Sequence, residues 1–257
     1  MADKNTVVIS SPEELGRVET RRSFLRMLGV GGSIVLLPSV FAACGDDDLG
    51  PYGVPTGPGG GTGGGVTLNL SNDTGILNYA YALEQLEAAF YTQVVQLSNF
   101  STLFNANEQE LFLDLYQHEV IHRELFRTAL AGNAIPNLAV NFGTTISAPT
   151  RTNIGGATVA FEDTGVSAYN GAGQYLKTAA FLTLAGKIVS VEARHAAVAR
   201  TVFLGTATAF ADLAAADLVA AGSDNANALD VFRLPSAVLP IVDPFITTPI
   251  SVGAAPV

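Results

Sequence analysis

Apolar residues recur at steps of three and four through four long segments of the chain and lose that period between them. The first segment, about residues 74–99, carries "ILNYAYALEQLEAAFYTQVVQL" and is entered through Asn72, Asp73 and Thr74, any of which can cap it. The second, about 107–131, opens on Asn107 as cap with Glu108 and Glu110 in its first turn, and closes at Gly132 and Asn133. Only a short loop separates these two, which predicts an antiparallel pair. From Ile135 to Thr152, "IPNLAVNFGTTISAPTRT" has prolines and β-branched residues but no helical period. A connection of that length lets a chain cross from one end of a bundle to the other. The third segment covers about 154–172, weakened by Gly155, Gly156 and Gly165, and the fourth about 174–204. The last, 205–257, begins as an alanine-rich helix and ends in "LPSAVLPIVDPFITTPI", which reads as an extended strap over the bundle. No β pattern competes, so the expected fold class is all-α: a four-helix bundle with a long crossover between helices 2 and 3 and an irregular C-terminal strap.

The chain ahead of these segments reads differently. In "ETRRSFLRMLGVGGSIVLLPSVFAAC", Arg21 and Arg22 precede Phe24, Leu25 and an apolar run over about 27–43 that is broken by Gly29, Gly31, Gly32 and Pro38. The run is short for a membrane span, although a retained N-terminal anchor helix is an alternative. The stretch resembles bacterial twin-arginine signal peptides, which send folded proteins across the inner membrane. "VFAAC" is similar to the lipobox before a lipid-modified cysteine, with Phe41 where leucine is commoner. That likeness implies an exported periplasmic or cell-surface protein attached to the membrane through a lipid on Cys44; cleavage at Ala42 or Ala43 without lipid is the other outcome. After Cys44, Asp46, Asp47 and Asp48 lead into "LGPYGVPTGPGGGTGGG", a composition that behaves as a flexible tether. The expected organisation is a signal segment at 1–43, a tether at 44–65, the bundle at 66–205, and a C-terminal helix and strap at 206–257.

Composition narrows the chemistry. With 48% hydrophobic and 14% charged residues among 257, the chain can bury a sizeable single core. Beyond Cys44 there are 8 Lys and Arg against 19 Asp and Glu, a net formal charge of −11, which leaves no basic patch for nucleic acid or anionic headgroups. Cys44 is the only cysteine, so an intramolecular disulfide and a thiolate metal site are both excluded. A metal ion would have to be held by oxygen and imidazole nitrogen.

An internal repeat supplies such donors. Glu84 is followed seven residues on by Tyr91, and Glu119 three on by His122; Glu162 is followed seven on by Tyr169, and Glu192 three on by His195. Steps of seven and three keep each pair on one helix face, so four helices each offer a glutamate that can converge on one point. Four carboxylates inside an apolar bundle would cost several kcal/mol each if left unpaired. Two divalent cations would offset them, and carboxylate oxygens with two imidazoles suit iron or manganese. Glu87 is an alternative to Glu84 on the first helix, but only Glu84 keeps the step of seven to a tyrosine. His118, about 100° around the helix from Glu119, reads as a surface residue and not a ligand. Arg194 and Arg200 read as partners for acids at the rim, and Tyr79 and Tyr81 as core.

The segments "LNYAYALEQLEAAFY", "HEVIHRELF", "FEDTGVSAYNGA" and "VEARHAAVAR" together resemble the ferritin-like superfamily, and within it the ferritin-like domain family that includes desiccation-related proteins, over about residues 70–205. One Glu-x-x-His is a weak motif; two copies with the paired Glu-x6-Tyr are strong. The resemblance implies a ferritin-like bundle in which Glu84, Glu119, His122, Glu162, Glu192 and His195 hold two iron or manganese ions, with Tyr91 and Tyr169 hydrogen-bonding the ligating carboxylates. It also implies a dimetal oxidoreductase acting on O2 or peroxide in stress protection. The alternative is a non-catalytic stress protein of structural or metal-binding role. A storage cage suits a tethered N-terminus poorly, and no C-x-x-C is present for a second, rubredoxin-like iron site.

Overall fold

The computed structural model describes residues 6–9, 33–36, 64–205, 210 and 230–256. The twin-arginine pair, Cys44, the Gly/Pro-rich stretch up to residue 63 and the alanine-rich part of the last segment lie outside the described residues. Within the N-terminal part, β1 (Thr6–Ile9) and β2 (Ser33–Leu36) form a parallel pair, β2 falling inside the apolar run.

Four long helices make the body: α1 (Asp73–Val95), α2 (Ala106–Leu130), α3 (Arg151–Ala172) and α4 (Ala179–Ala199). Asn72 caps α1 by accepting the Gly75 N–H at 2.9 Å. The cap of α2 is Asn105 and not Asn107. Its Oδ1 accepts the Glu108 N–H at 3.1 Å while Glu108 Oε2 accepts the Asn105 N–H at 3.0 Å, a reciprocal pair that needs a glutamate three residues after the cap. Ala131, at φ 48°, then breaks α2 with a turn that ordinarily favours glycine or asparagine. At the far end of α4 the chain widens into a π turn, Arg200–Leu204, and stops at Gly205 in the left-handed region at φ 62°.

Pairs of residues fix the helix directions. Asn78 near the start of α1 meets Asn133 and Ile135 just past the end of α2, so these two are antiparallel. Glu84 meets Tyr169 and Tyr91 meets Glu162, so α1 and α3 are antiparallel as well. Consequently α2 and α3 run the same way, and the segment between them must return the length of the bundle. It does so along α1: Asn78 Oδ1 accepts the Ile135 N–H at 2.8 Å, Gln85 Oε1 the Leu138 N–H at 2.8 Å, and Phe90 packs edge-on against Phe142. Polar Asn78 and Gln85 thereby satisfy backbone that has no helix or sheet of its own. Helix α1, covered by this crossover on one side and by helices on others, is buried continuously from Gly75 to Ala88.

The C-terminal segment departs from the expected extended strap. "PSAVLPIV" forms a helix, α5 (Pro235–Val242), with Pro235 at its first position, where the missing N–H costs nothing, and Pro240 inside it. Beyond it, β4 (Ile250–Ala254) pairs in parallel with β3 (Val66–Asn69), an element that four residues of alternating burial could not announce. The stretch before α5 docks on α3: the Arg233 N–H donates to Ser167 O at 2.9 Å, and Asn170 Nδ2 to Val231 O at 3.1 Å. A Cβ on Gly171 would sit 1.8 Å from Arg233 O, so only glycine permits this approach.

Candidate metal centre

The buried stripe of α2 runs through Phe112, Leu115, Glu119, His122 and Phe126, and that of α4 through Ala185, Ile188, Glu192, His195 and Ala199. The same period that buries the apolar side chains therefore carries both Glu-x-x-His pairs into the core. Glu84, Glu119, Glu162 and Glu192 are all fully buried, and His122 and His195 nearly so.

Two groups of donors result, and they share two members. Glu84, Glu119, His122 and Glu192 form one; Glu119, Glu162, Glu192 and His195 form the other, with the donor atoms of each within 4.8 Å of one another. His122 Nδ1 lies 2.8 Å from Glu192 Oε1, 3.2 Å from Glu119 Oε2 and 3.5 Å from Glu84 Oε2. His195 Nδ1 lies 2.9 Å from Glu119 Oε1, 3.3 Å from Glu162 Oε2 and 3.4 Å from Glu192 Oε2. Glu119 and Glu192 thus turn one oxygen to each group, while Glu84 and Glu162 serve one group apiece.

The outer oxygens of Glu84 and Glu162 are held from across the bundle. Tyr91 donates to Glu162 Oε1, and Tyr169 to Glu84 Oε1. Burial and the adjacent carboxylate both push these phenols well above their ordinary pKa, so each remains a donor. Each Glu-x6-Tyr helix therefore steadies the glutamate of the other, an exchange between α1 and α3 that spacing within one helix does not reveal.

The inner oxygens are a different matter. Glu84 Oε2, Glu119 Oε1, Glu162 Oε2, both oxygens of Glu192 and His195 Nδ1 have no well-formed hydrogen bond although they are buried. The nearest polar neighbours of these oxygens are the two imidazoles, and so many buried carboxylate oxygens facing one another call for more positive charge. The electrostatics agree. Burial works against a charged His195, yet Glu162, Glu119 and Glu192 outweigh it and push its pKa up to about 12; His122 is raised too, by Glu119, Glu192 and Glu84. Burial raises Glu162 to about 7, even with His195 beside it. Glu192 goes the other way, to about 2, because the two imidazoles close to its oxygens overcome its burial. A set of carboxylate oxygens and imidazole nitrogens with unsatisfied valence and excess negative charge fits divalent cations well.

Glu87 belongs to neither group. It is buried one turn beyond Glu84 and packs against Gly165, where a Cβ would stand 3.0 Å from its Oε1. Burial, then the repulsion of Glu192, Glu119, Glu162 and Glu84, raises its pKa well above the carboxylate range. Asp163, next to Glu162, points away and pairs with the buried Arg200. Arg194 is exposed and donates to Ser190 Oγ at 3.0 Å; contrary to expectation it pairs with no acid among the described residues, whereas Arg200 pairs with Asp163. Tyr79 and Tyr81 are core, and Tyr79, Tyr169, Phe126 and Leu83 line a small apolar cavity of about 20 Å³ behind the Glu84 side of the site.

His118 is the residue that sequence reasoning missed. Its ring is exposed, as expected, but Nδ1 lies 2.8 Å from His195 Nε2 and the two rings stack with 12° between their planes. Burial and the nearby His195 and His122 hold it below the ordinary histidine pKa. A wheel drawn for α2 alone places it away from Glu119; the partner that it meets comes from α4.

An up-down-down-up bundle with a lengthwise crossover, whose core gathers four glutamates and two histidines that could bind metal, defines a ferritin-like protein. The ferritin-like domain family matches residues 72–205, more than half of the chain, and the chain belongs to that family. No curated protein is similar enough to the chain to match it.

Proposed function

We propose that the bundle holds two iron or manganese ions and uses them to consume dioxygen or peroxide, or to oxidise ferrous iron, in protection against oxidative stress. The observation that carries this reading is the division of Glu119 and Glu192, each with one oxygen in either donor group. Glu119 and Glu192 would help to hold both cations, with Glu84 and His122 completing one position and Glu162 and His195 the other. Bound there, such ions supply one-electron redox chemistry at adjacent centres. The chain's own contribution is to neutralise four carboxylates against them, to fix Glu84 and Glu162 through Tyr169 and Tyr91, and to keep the surroundings apolar.

Export belongs to the same reading. A twin-arginine signal carries folded protein, so a site can be loaded in the cytoplasm before it meets copper and zinc, which outcompete manganese and iron at open sites. Lipid on Cys44 would then hold the bundle at the outer face of the membrane, close to lipids that peroxide attacks. Labelled fatty acid should enter the wild-type precursor and not Cys44→Ser; equal labelling of both removes the anchor from the proposal.

The test is metal content and turnover in protein purified from its own host. About two ions per chain are expected. Glu119→Ala and Glu192→Ala, which take a ligand from both positions, should lose both ions, whereas Glu84→Ala and Glu162→Ala should each lose no more than one. A metal-free wild type, or Glu119 and Glu192 variants that keep full occupancy, would sink the reading. Two ions without peroxide or ferrous turnover above the free-ion rate would leave a metal-binding scaffold.

A further inference from the structure

The internal repeat fails at one telling position. Aligned on their glutamates, α2 reads His118-Glu119-x-x-His122 and α4 reads Val191-Glu192-x-x-His195. The site around them is close to two-fold symmetric: each histidine faces three carboxylates through Nδ1, and each terminal glutamate is held by a tyrosine from the opposite helix. Only His195 has an imidazole behind it. His118 Nδ1 stands 2.8 Å from His195 Nε2, with ring centroids 5.0 Å apart and planes 12° from parallel. The related residue on α4, Val191, offers His122 no acceptor.

The consequence follows from histidine chemistry. Because Nδ1 of His195 faces the carboxylates, it is the nitrogen that a cation would take, and the ring proton must then sit on Nε2. That N–H donates to Nδ1 of His118, which keeps its own proton on Nε2. An acceptor behind a ligating imidazole fixes its tautomer and orientation and makes the ligating nitrogen a better donor.

We propose that the two cation positions are unequal, that the one formed by Glu119, Glu162, Glu192 and His195 fills first and more tightly, and that His118 is the positioning residue responsible. The inference rests on the dimetal reading given above.

Titrating the metal-free full-length chain with Mn²⁺, followed by the electron paramagnetic resonance of the free ion, separates the possibilities. Wild type should take up Mn²⁺ in two resolved steps. His118→Val should weaken the tighter step by about 10- to 100-fold and leave the weaker one in place. His118→Gln, whose amide oxygen can accept from His195, should keep the steps apart; Glu162→Ala should abolish the tight step and Glu84→Ala the weak one. Two equal steps in wild type, or an unchanged gap in His118→Val, overturn the inference while leaving the dimetal reading intact. Failure of wild type to bind any Mn²⁺ overturns both. Should His118→Val lose its helical circular dichroism, His118→Gln decides: steps that merge in a folded His118→Gln also overturn it.

Discussion

Removing one phenolic oxygen from Tyr91 or Tyr169 should separate the roles of packing and positioning. Each ring stays buried without its hydroxyl, but Glu162 or Glu84 loses the donor that holds its outer oxygen. Tyr91→Phe and Tyr169→Phe should therefore fold and still bind metal, with affinity reduced by about tenfold or more; isothermal titration measures it, and unchanged affinity would reduce the tyrosines to core residues. At this scale much of the centre was legible, because a helix of fixed period turns a step of three or seven into a shared face. The step to Tyr91 favoured Glu84 over Glu87, and Glu84 is the one that lies in a donor group, although Tyr91 is not its partner. What the spacing did not contain was the exchange of partners between helices: Tyr91 serves Glu162 and not Glu84, and His118 finds His195 across the seam. Such pairings depend on how two helices are set beside one another, which no single-helix pattern encodes. A hint existed nonetheless, since the position aligned with His118 in the second Glu-x-x-His segment is an apolar Val191.

The helices themselves were readable because their periodicity runs for five or more turns; their ends and the short elements were not. Asn105 and Asn107 are both plausible caps, and the glutamate three residues after Asn105 is what distinguishes them. Asn105→Ala should cost about 1 kcal/mol of stability, read as a lower denaturant midpoint with unchanged slope. Glu108 has a second task, pairing with Arg151 at the first residue of α3, whose guanidinium also reaches Val202 O at 3.1 Å and the face of Phe203. Burial opposes ionisation of Glu108, but Arg151 and the Asn105 N–H outweigh it and hold its pKa below the ordinary carboxylate range. Its contribution is accordingly complete above the unfolded value and lost as pH falls through the lowered folded one. Glu108→Gln should flatten that part of the acid limb of a stability-against-pH curve; identical limbs for the two proteins would show that the pair does nothing. The π turn after α4 and the helix α5 were invisible for other reasons. A π turn has no compositional mark, and two prolines in "LPSAVLPIV" argue against a helix unless one of them occupies its first position.

At the level of the whole molecule, the C-terminal segment is part of the fold and not a loose covering. Gly171 and Arg233 meet so closely that Gly171→Ala should force the segment off α3, lowering stability by about 1–3 kcal/mol. A melting temperature equal to wild type would mean that the contact yields without cost. Gly171 is not one of the clustered donors, so this variant should keep whatever metal content wild type has per folded chain. The crossover was legible only as a gap in the pattern. That it returns along α1 depends on Asn78 and Gln85, buried polar residues whose partners are backbone atoms more than fifty positions away.

The parallel pairing of β3 with β4 has a mechanical meaning. In the described body β3 starts at Val66 and β4 ends at Ala254, in strands that point the same way and are hydrogen-bonded side by side. Tension applied between those two ends pulls the strands past each other along their own axes. The hydrogen bonds between them are then loaded together and cannot open one after another, as they would if the strands were peeled apart. A body strained through its two ends would thus resist at this short clasp before any load reached the helices that carry the glutamates. Stretching single molecules by residues 64 and 256 should give one high-force rupture, followed by yielding of the bundle at lower force.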